Sequence, residues 1–250
     1  MRLAAHAKIN LTLEVFGTRP DGYHDLRSVV TTIPLHDDVE LEDAPAGEMT
    51  VEMEGDGMEA PRVPCEKNLA VRAARALQEA CGVARGVHIR IVKRIPVGAG
   101  LGGGSADAAA VLKGLNELWG LNLPKERLCA IGAEVGSDVP ALVLGGTVLM
   151  EGRGERVTPL STGGSRSCAT ESEWSRFVLR IPPVNASTAR VYAEFREEDR
   201  GNFRNDLQPA ACRLYPIIAE TIAEMEAEGL ENVQMSGSGS AVFGWRKEGK

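Results

Sequence analysis

Pro96-Val97-Gly98-Ala99-Gly100-Leu101-Gly102-Gly103-Gly104-Ser105 lies between an alternating run, V-H-I-R-I-V-K (87–93), and an alanine-rich run (106–119). The first run reads as a strand and the second as a helix. Five glycines fall in the seven residues 98–104. Glycine admits positive φ and carries no side chain, so successive N–H groups can turn around one anion. The helix that follows adds unpaired N–H groups and the positive end of its dipole. Strand, glycine loop and helix together predict a polyphosphate cradle, with Ser105 able to offer its hydroxyl to a phosphate or to Mg²⁺. A flexible linker has no reason to sit between a strand and such a helix. No G-K-[ST] closes the loop, which excludes a Walker A site. Residues 98–103 fit G-x-G-x-x-G, but Glu117 falls in a helical pattern and not at the end of a second strand, so the dinucleotide reading is weak.

Outward from the loop, the N-terminal part reads as strands at 8–16, 28–35, 38–42 and 49–54, with a turn at 17–22 (G-T-R-P-D-G). Residues 68–81 carry Leu69, Ala73, Ala76, Leu77 and Ala80 at helical spacing, and Gly82 suits the end of that helix. A further helix is expected at 125–135. A buried strand region with a Gly-Gly turn follows at 140–150. Residues 161–175 are rich in Ser, Thr and Gly, so a domain boundary is expected within 155–175, with domains at 1–160 and 176–250. The second part reads as a strand (177–181), helices near 187–196 and 214–228, and a strand pair around S-G-S-G-S (236–240). The fold class is α+β, with the glycine loop at the junction of two subdomains.

The 250 residues are 43% hydrophobic and 25% charged, which suits a soluble globular protein with a full core. A formal net charge of −7 gives no general attraction for nucleic acid, so phosphates must be held by a local site. The five cysteines (65, 81, 129, 168, 212) are widely spaced with no C-x-x-C, against a disulfide framework or a zinc site. Neither a signal peptide nor a membrane-length apolar run is visible, and a cytoplasmic location is expected.

With the loop in view, the chain resembles the GHMP kinases, the family of galactokinase, homoserine kinase and mevalonate kinase. Their second motif corresponds to 96–106 (Pro96 to Ala106). Their first corresponds to A-K-I-N-L (7–11) and their third to M-S-G-S-G-S-A (235–241). Within that family the sequence is similar to the 4-diphosphocytidyl-2-C-methylerythritol kinases. The residues that carry this are A-K-I-N-L-T-L, D-G-Y-H-D-L (21–26), G-L-G-G-G-S-A-D-A-A (100–109), G-S-D-V-P (136–140) and N-D-L (205–207).

The resemblance implies a ribosomal-protein-S5-like α/β domain followed by a ferredoxin-like domain. The latter is expected to lack an edge element, because the chain runs only to Lys250. It implies ATP and Mg²⁺ as cofactors and a cytidine diphosphate sugar alcohol as the substrate phosphorylated, on the non-mevalonate route to isoprenoid precursors. Partners other than the small molecule, whether nucleic acid or membrane, are not expected. The catalytic residues it implies are Asp138 as base and Lys8 as the cation beside it. ATP would be bound by Pro96, Val97, Gly98, Ala99, Gly100, Leu101, Gly102, Gly103, Gly104, Ser105 and Ala106, with Asn68 near the base. The acceptor would be bound by Asn10, Tyr23, His24 and Thr188, with Ser187 and Tyr192 in the same segment, N-A-S-T-A-R-V-Y (185–192). No residue is assigned to a metal. From position alone, Asp138 reads equally as a helix cap, and so do Ser187 and Thr188. Alternatives are a homoserine- or mevalonate-type kinase, or a nucleotide-binding relative without catalysis.

Overall fold

A single long strand organises the first sheet of the computed structural model, which describes residues 1–19, 24–56, 63–160 and 174–248. This strand, β3 (His24–Ala44), is paired along both edges. Glu40 faces Arg2 of β1 (Arg2–Asn10) on one side and Arg90 of β5 (Gly86–Lys93) on the other. Arg27 faces Glu14 of β2 (Glu14–Thr18) and Glu151 of β6 (Thr147–Gly152). The order is completed by β4 (Met49–Gly55), parallel to β5, and β7 (Arg156–Pro159), antiparallel to β6. The separate strands expected at 28–35 and 38–42 are therefore one. Pro34 does not break β3, because it falls where the β1–β3 register jumps between His6↔His36 and Lys8↔Thr32, so its missing N–H leaves no gap in the ladder.

Conversely, the single strand expected at 8–16 is two. At Leu13 the backbone turns away to pair with the second half of the chain: Leu13 N–H donates to Arg204 O at 2.7 Å and Asp206 N–H to Leu13 O at 2.9 Å. Nothing local in the sequence signals such a contact.

Four helices cover one face of this sheet: α1 (Leu69–Cys81), α2 (Gly103–Leu118), α3 (Lys125–Val135) and α4 (Val139–Leu144). The side chain of Asn68 caps α1 by accepting from Ala70 N–H at 2.9 Å, and Gly82 ends it at φ 63°. Ala106, Ala108, Ala109 and Ala110 of α2 are buried, and their small side chains let the helix lie close to β1, α1 and α4. The region 140–150 corrects the expectation of a strand throughout. Its first half is α4, with a proline in the first turn, and only Thr147–Gly152 is extended. A short apolar run does not separate the two states by periodicity.

The second sheet is antiparallel, in the order β8 (Phe177–Arg180), β10 (Val242–Trp245), β9 (Glu231–Met235). Between β8 and β9 run α5 (Thr188–Glu194), α6 (Gln208–Leu214) and α7 (Pro216–Ala227). A strand, helices and a hairpin, with the third strand in the middle, is the opening of a ferredoxin-like unit. Only α7 was expected in 205–228. Tyr215, preceding Pro216, is driven out of the helical region (φ −137°, ψ 79°), which divides two helices in place of one. The two faces of this sheet serve different cores. Val178, Met235 and Val242 pack with Leu207, Ile218 and Met225 of the second domain's own core. Phe177, Leu179, Phe243 and Trp245 pack against the core of the first. Of the segment 155–175 expected to hold the domain boundary, residues 161–173 lie outside the described residues. No helix among the described residues is long and apolar enough to cross a membrane.

Candidate active site

The glycine loop runs along a cleft of 450 Å³ between the two sheets. Three successive loop carbonyls are held by the protein. Ala99 O accepts from Ala241 N–H at 3.0 Å, Gly100 O from the Ser236 hydroxyl at 3.1 Å, and Leu101 O from Lys8 N–H at 3.0 Å. In a trans peptide the N–H lies opposite the preceding carbonyl. Anchoring these carbonyls inward therefore turns the N–H groups of Gly100, Leu101 and Gly102 the other way, as an anion cradle requires. Gly100 has no substitute: its φ is +76°, and a Cβ there would stand 2.3 Å from Ser236 O. The helix begins at Gly103, earlier than the run at 106–119 suggested, so Gly103, Gly104 and Ser105 form its first turn, where N–H groups lack helical partners. Residues 96–105 all line the cleft, and Ala106 is buried behind it.

Across the cleft, Lys8 Nζ stands 3.5 Å from Asp138 Oδ2. Lys8 is buried, whereas the Asp138 side chain is 30% exposed and lines the cleft. Asp138 immediately precedes α4 but makes no side-chain cap bond, which removes the capping explanation. The lysine is oriented from below: Nζ donates to Asn10 Oδ1 at 2.7 Å, Asn10 Nδ2 donates to Ser28 Oγ at 2.8 Å, and Ser28 Oγ donates to Thr12 O at 2.5 Å. Asn10 N–H also donates to Ser236 Oγ at 3.3 Å. One serine of the third motif thus links β1 to the phosphate loop.

At one end of the cleft the His24 ring stacks on Tyr192 with centroids 4.9 Å apart, and Phe195 meets His24 edge-on at 6.5 Å. Tyr192 lines the cleft. Burial, and then the nearby charge of Asp138, push its phenol well above the usual range, so it stays a neutral donor. The Thr188 hydroxyl meets Ser238 Oγ at 2.8 Å, bridging α5 to the third motif. Ser187, not Thr188, caps α5, accepting from Arg190 N–H. Tyr23 lies outside the described residues.

At the other end are Met53, Val63, Lys67, Asn68 and Leu69. Asn68 both caps α1 and faces this pocket. A buried ionic cluster that the sequence reading missed closes it. Lys93 Nζ bridges Asp37 Oδ2 and Asp107 Oδ2, the latter at 2.6 Å, while Asp37 Oδ1 accepts from the N–H groups of Arg94 (2.5 Å) and Ile95 (2.8 Å). Lys93 to Ile95 enter the glycine loop and Asp107 leaves it, so the cluster fastens both ends of the loop to β3. Asp107 Oδ1 is buried without a hydrogen-bond partner among the described residues. Burial raises the Asp107 carboxyl to about 7 against the opposing pull of Lys93. The alternation of 87–93 places Lys93 on the inward face with Ile91 and Ile89, and an inward lysine was the available signal. By contrast, Asn205-Asp206-Leu207 is scaffold. Asn205 Nδ2 holds Met235 O and Gly237 O, and Asp206 accepts from Val15 and Gly201 N–H.

The family model for the GHMP kinases N terminal domain matches residues 68–146, and that for GHMP kinases C terminal matches 186–250. A 4-diphosphocytidyl-2-C-methyl-D-erythritol kinase from Shouchella clausii is 40% identical over 264 residues, covering 97% of this chain and 84% of the relative. One from Geobacter sp. (strain M21) is 41% identical, covering 98% and 89%. The crystal structure of a 4-(cytidine 5'-diphospho)-2C-methyl-D-erythritol kinase superposes with a TM-score of 0.80 at 36% identity, covering 99% of this chain and 90% of that one. A homoserine kinase from Cytophaga hutchinsonii, at 16% identity and TM-score 0.67 over 96% and 84% of the two chains, shares the fold alone.

Proposed function

The chain belongs to the 4-diphosphocytidyl-2-C-methyl-D-erythritol kinase family of the GHMP kinases, and from that we propose that it transfers the γ-phosphoryl group of ATP to the 2-hydroxyl of 4-diphosphocytidyl-2-C-methyl-D-erythritol, a step of the non-mevalonate route to isoprenoid precursors. The observation that carries this reading is that the glycine loop, the Lys8–Asp138 pair and the Tyr192 ring all open on one cleft.

In the mechanism we infer, the loop N–H groups and the first turn of α2 hold the phosphates. Asp138 orients the acceptor hydroxyl and takes its proton as the oxygen attacks phosphorus in line, with no phosphoenzyme. Lys8, held by Asn10, faces the developing negative charge on that oxygen. Asn10 has one N–H left after its bonds to Lys8 and Ser28, and that group is available to the substrate's hydroxyls. Tyr192 and His24 offer an aromatic face to the cytosine, and Thr188 flanks the acceptor. ATP's base end falls to Asn68 and its apolar neighbours. Mg²⁺ keeps most of its ligands as water and phosphate and needs few protein oxygens. The Ser105 hydroxyl, which lines the cleft, fits that need, and the ion would neutralise phosphate charge. We further infer domains at 1–160 and 176–250 with the cleft between them.

The test is a ³¹P NMR assay of enzyme, Mg²⁺, the cytidylyl substrate and ATP, repeated with ATP made chiral at its γ-phosphorus by sulfur and oxygen isotopes. A new phosphomonoester on the substrate, formed with inversion at phosphorus, is expected. Retention would mean a phosphoenzyme and overturn the mechanism. In Tyr192→Ala, the KM for the cytidylyl substrate is expected to rise about tenfold, in line with the loss of a base–aromatic stack, with KM for ATP unchanged.

A further inference from the structure

A second cavity, of 660 Å³, lies between the first sheet and the face of the second that packs towards it. It is the size of a site for a small organic ligand. Trp174 and Trp245 form its apolar wall; both rings pack edge-on against Phe177, at 5.1 Å and 5.7 Å. Gln234 lies beside them on the same face of the second sheet, and Leu11 and Thr12 also line the cavity.

Gln234 is the feature that needs an explanation. Met235, its neighbour on β9, goes to the second domain's core, so alternation turns Gln234 to the cavity side. The side chain is 3% exposed. Its Nε2 donates to Leu11 O at 3.0 Å, which fixes the amide's orientation and leaves Oε1 buried without a partner among the described residues. An unpaired buried acceptor is destabilising, and such a group is satisfied when a donor arrives. Charge at the cavity favours an anion. Arg204 and Lys247 are exposed and make no ion pair among the described residues. Arg176 is paired with Glu248 at 3.3 Å, and Glu231 is the remaining carboxylate.

We propose that this cavity is a second ligand site, taking a flat aromatic anion that also carries an N–H or O–H donor. The ring lies against Trp174 and Trp245, the donor reaches Gln234 Oε1, and the acidic group meets Arg204 and Lys247. Hydrogen bonds link the lining of this site to the Lys8–Asp138 pair. Thr12 O accepts from Ser28, Ser28 from Asn10, and Asn10 from Lys8. Gln234 stands two residues before Ser236, which holds the phosphate loop through Gly100. A ligand that braces Leu11, Thr12 and Gln234 therefore stiffens the supports of the Lys8–Asp138 pair. This site does not depend on which alcohol the catalytic cleft accepts.

The experiment uses the full chain and 1-anilinonaphthalene-8-sulfonate, an aromatic anion with one N–H donor, followed by energy transfer from tryptophan. One dye per chain is expected, retained when the catalytic cleft is saturated with a non-hydrolysable ATP analogue. Arg204→Glu, an exposed change that leaves the fold intact, is expected to weaken binding about tenfold, the equivalent of one desolvated charge contact. Gln234→Leu, close in size and checked for folding by circular dichroism, is expected to weaken it about as much. Failure of the ATP analogue to bind would count against the catalytic reading and leave the dye result standing. Displacement of the dye by that analogue, absence of dye binding, or equal affinity in the parent and both variants would overturn the second site.

Discussion

In the mechanism we propose, the chemistry turns on Asp138 and Lys8. With no cap bond to keep, Asp138→Asn leaves α4 and the phosphate loop intact while removing the proton acceptor. Turnover is expected to fall on the order of 10²-fold or more with ATP affinity retained, as separate titration of ATP and steady-state kinetics can check. If turnover barely falls, the carboxylate is not the base. Asp107 makes a different prediction. Its carboxyl is held near 7 in the folded protein against an ordinary 3.8. The folded state therefore binds the extra proton across that window, and stability contributed by Asp107 is lost as pH rises through it. Asp107→Asn removes that loss. The stability of the wild type relative to the variant is expected to decline between about pH 4 and pH 7 in denaturant titrations; a difference independent of pH would show that Asp107 ionises normally. Lys8 and Asp138 could be picked out in the sequence only through the resemblance of A-K-I-N-L and G-S-D-V-P to the family's motifs. The Asp37–Lys93–Asp107 cluster could not, because its members come from three elements and only the sheet brings β3 beside the end of β5.

Among the elements, the glycine loop was the most legible, since its residue types follow from backbone conformation and close approach. Gly100→Ala puts a Cβ into Ser236 O at a φ of +76°. Strain of about 1–3 kcal/mol, unrelieved by any side-chain shift because the obstacle is backbone, is expected to weaken ATP binding about tenfold or more by calorimetry. Unchanged affinity would mean that the loop does not need this conformation. For α1, Gly82 was legible as its end, whereas the Asn68 cap came from the structure; Asn68→Ala is expected to cost about 1 kcal/mol, seen as about 2–4 °C in Tm. Elements shaped by distant partners were not. The break at Leu13 follows from its bonds to Arg204 and Asp206, the length of β3 from being paired on both edges, and the α6–α7 division from a proline inside one apolar run. Local periodicity carries none of these.

At the scale of the molecule, two sheets meet so that motifs far apart in sequence share one cleft. Asn10, Gly100 and Ser236 are tied through a single hydroxyl, and Thr188 is tied to Ser238 across the same junction. The order of the three motifs along the chain carried the family resemblance; the tying atoms and the aromatic partner of His24 required the fold. The central claim is that this cleft phosphorylates a cytidylyl sugar alcohol and not merely some alcohol. The most direct measurement is Mg²⁺-dependent ATP turnover with 4-diphosphocytidyl-2-C-methyl-D-erythritol, homoserine and mevalonate, each supplied alone. Turnover with the cytidylyl substrate and none above background with the other two is the predicted result. Turnover with homoserine or mevalonate, and none with the cytidylyl substrate, would contradict it and leave Tyr192 and His24 as packing residues.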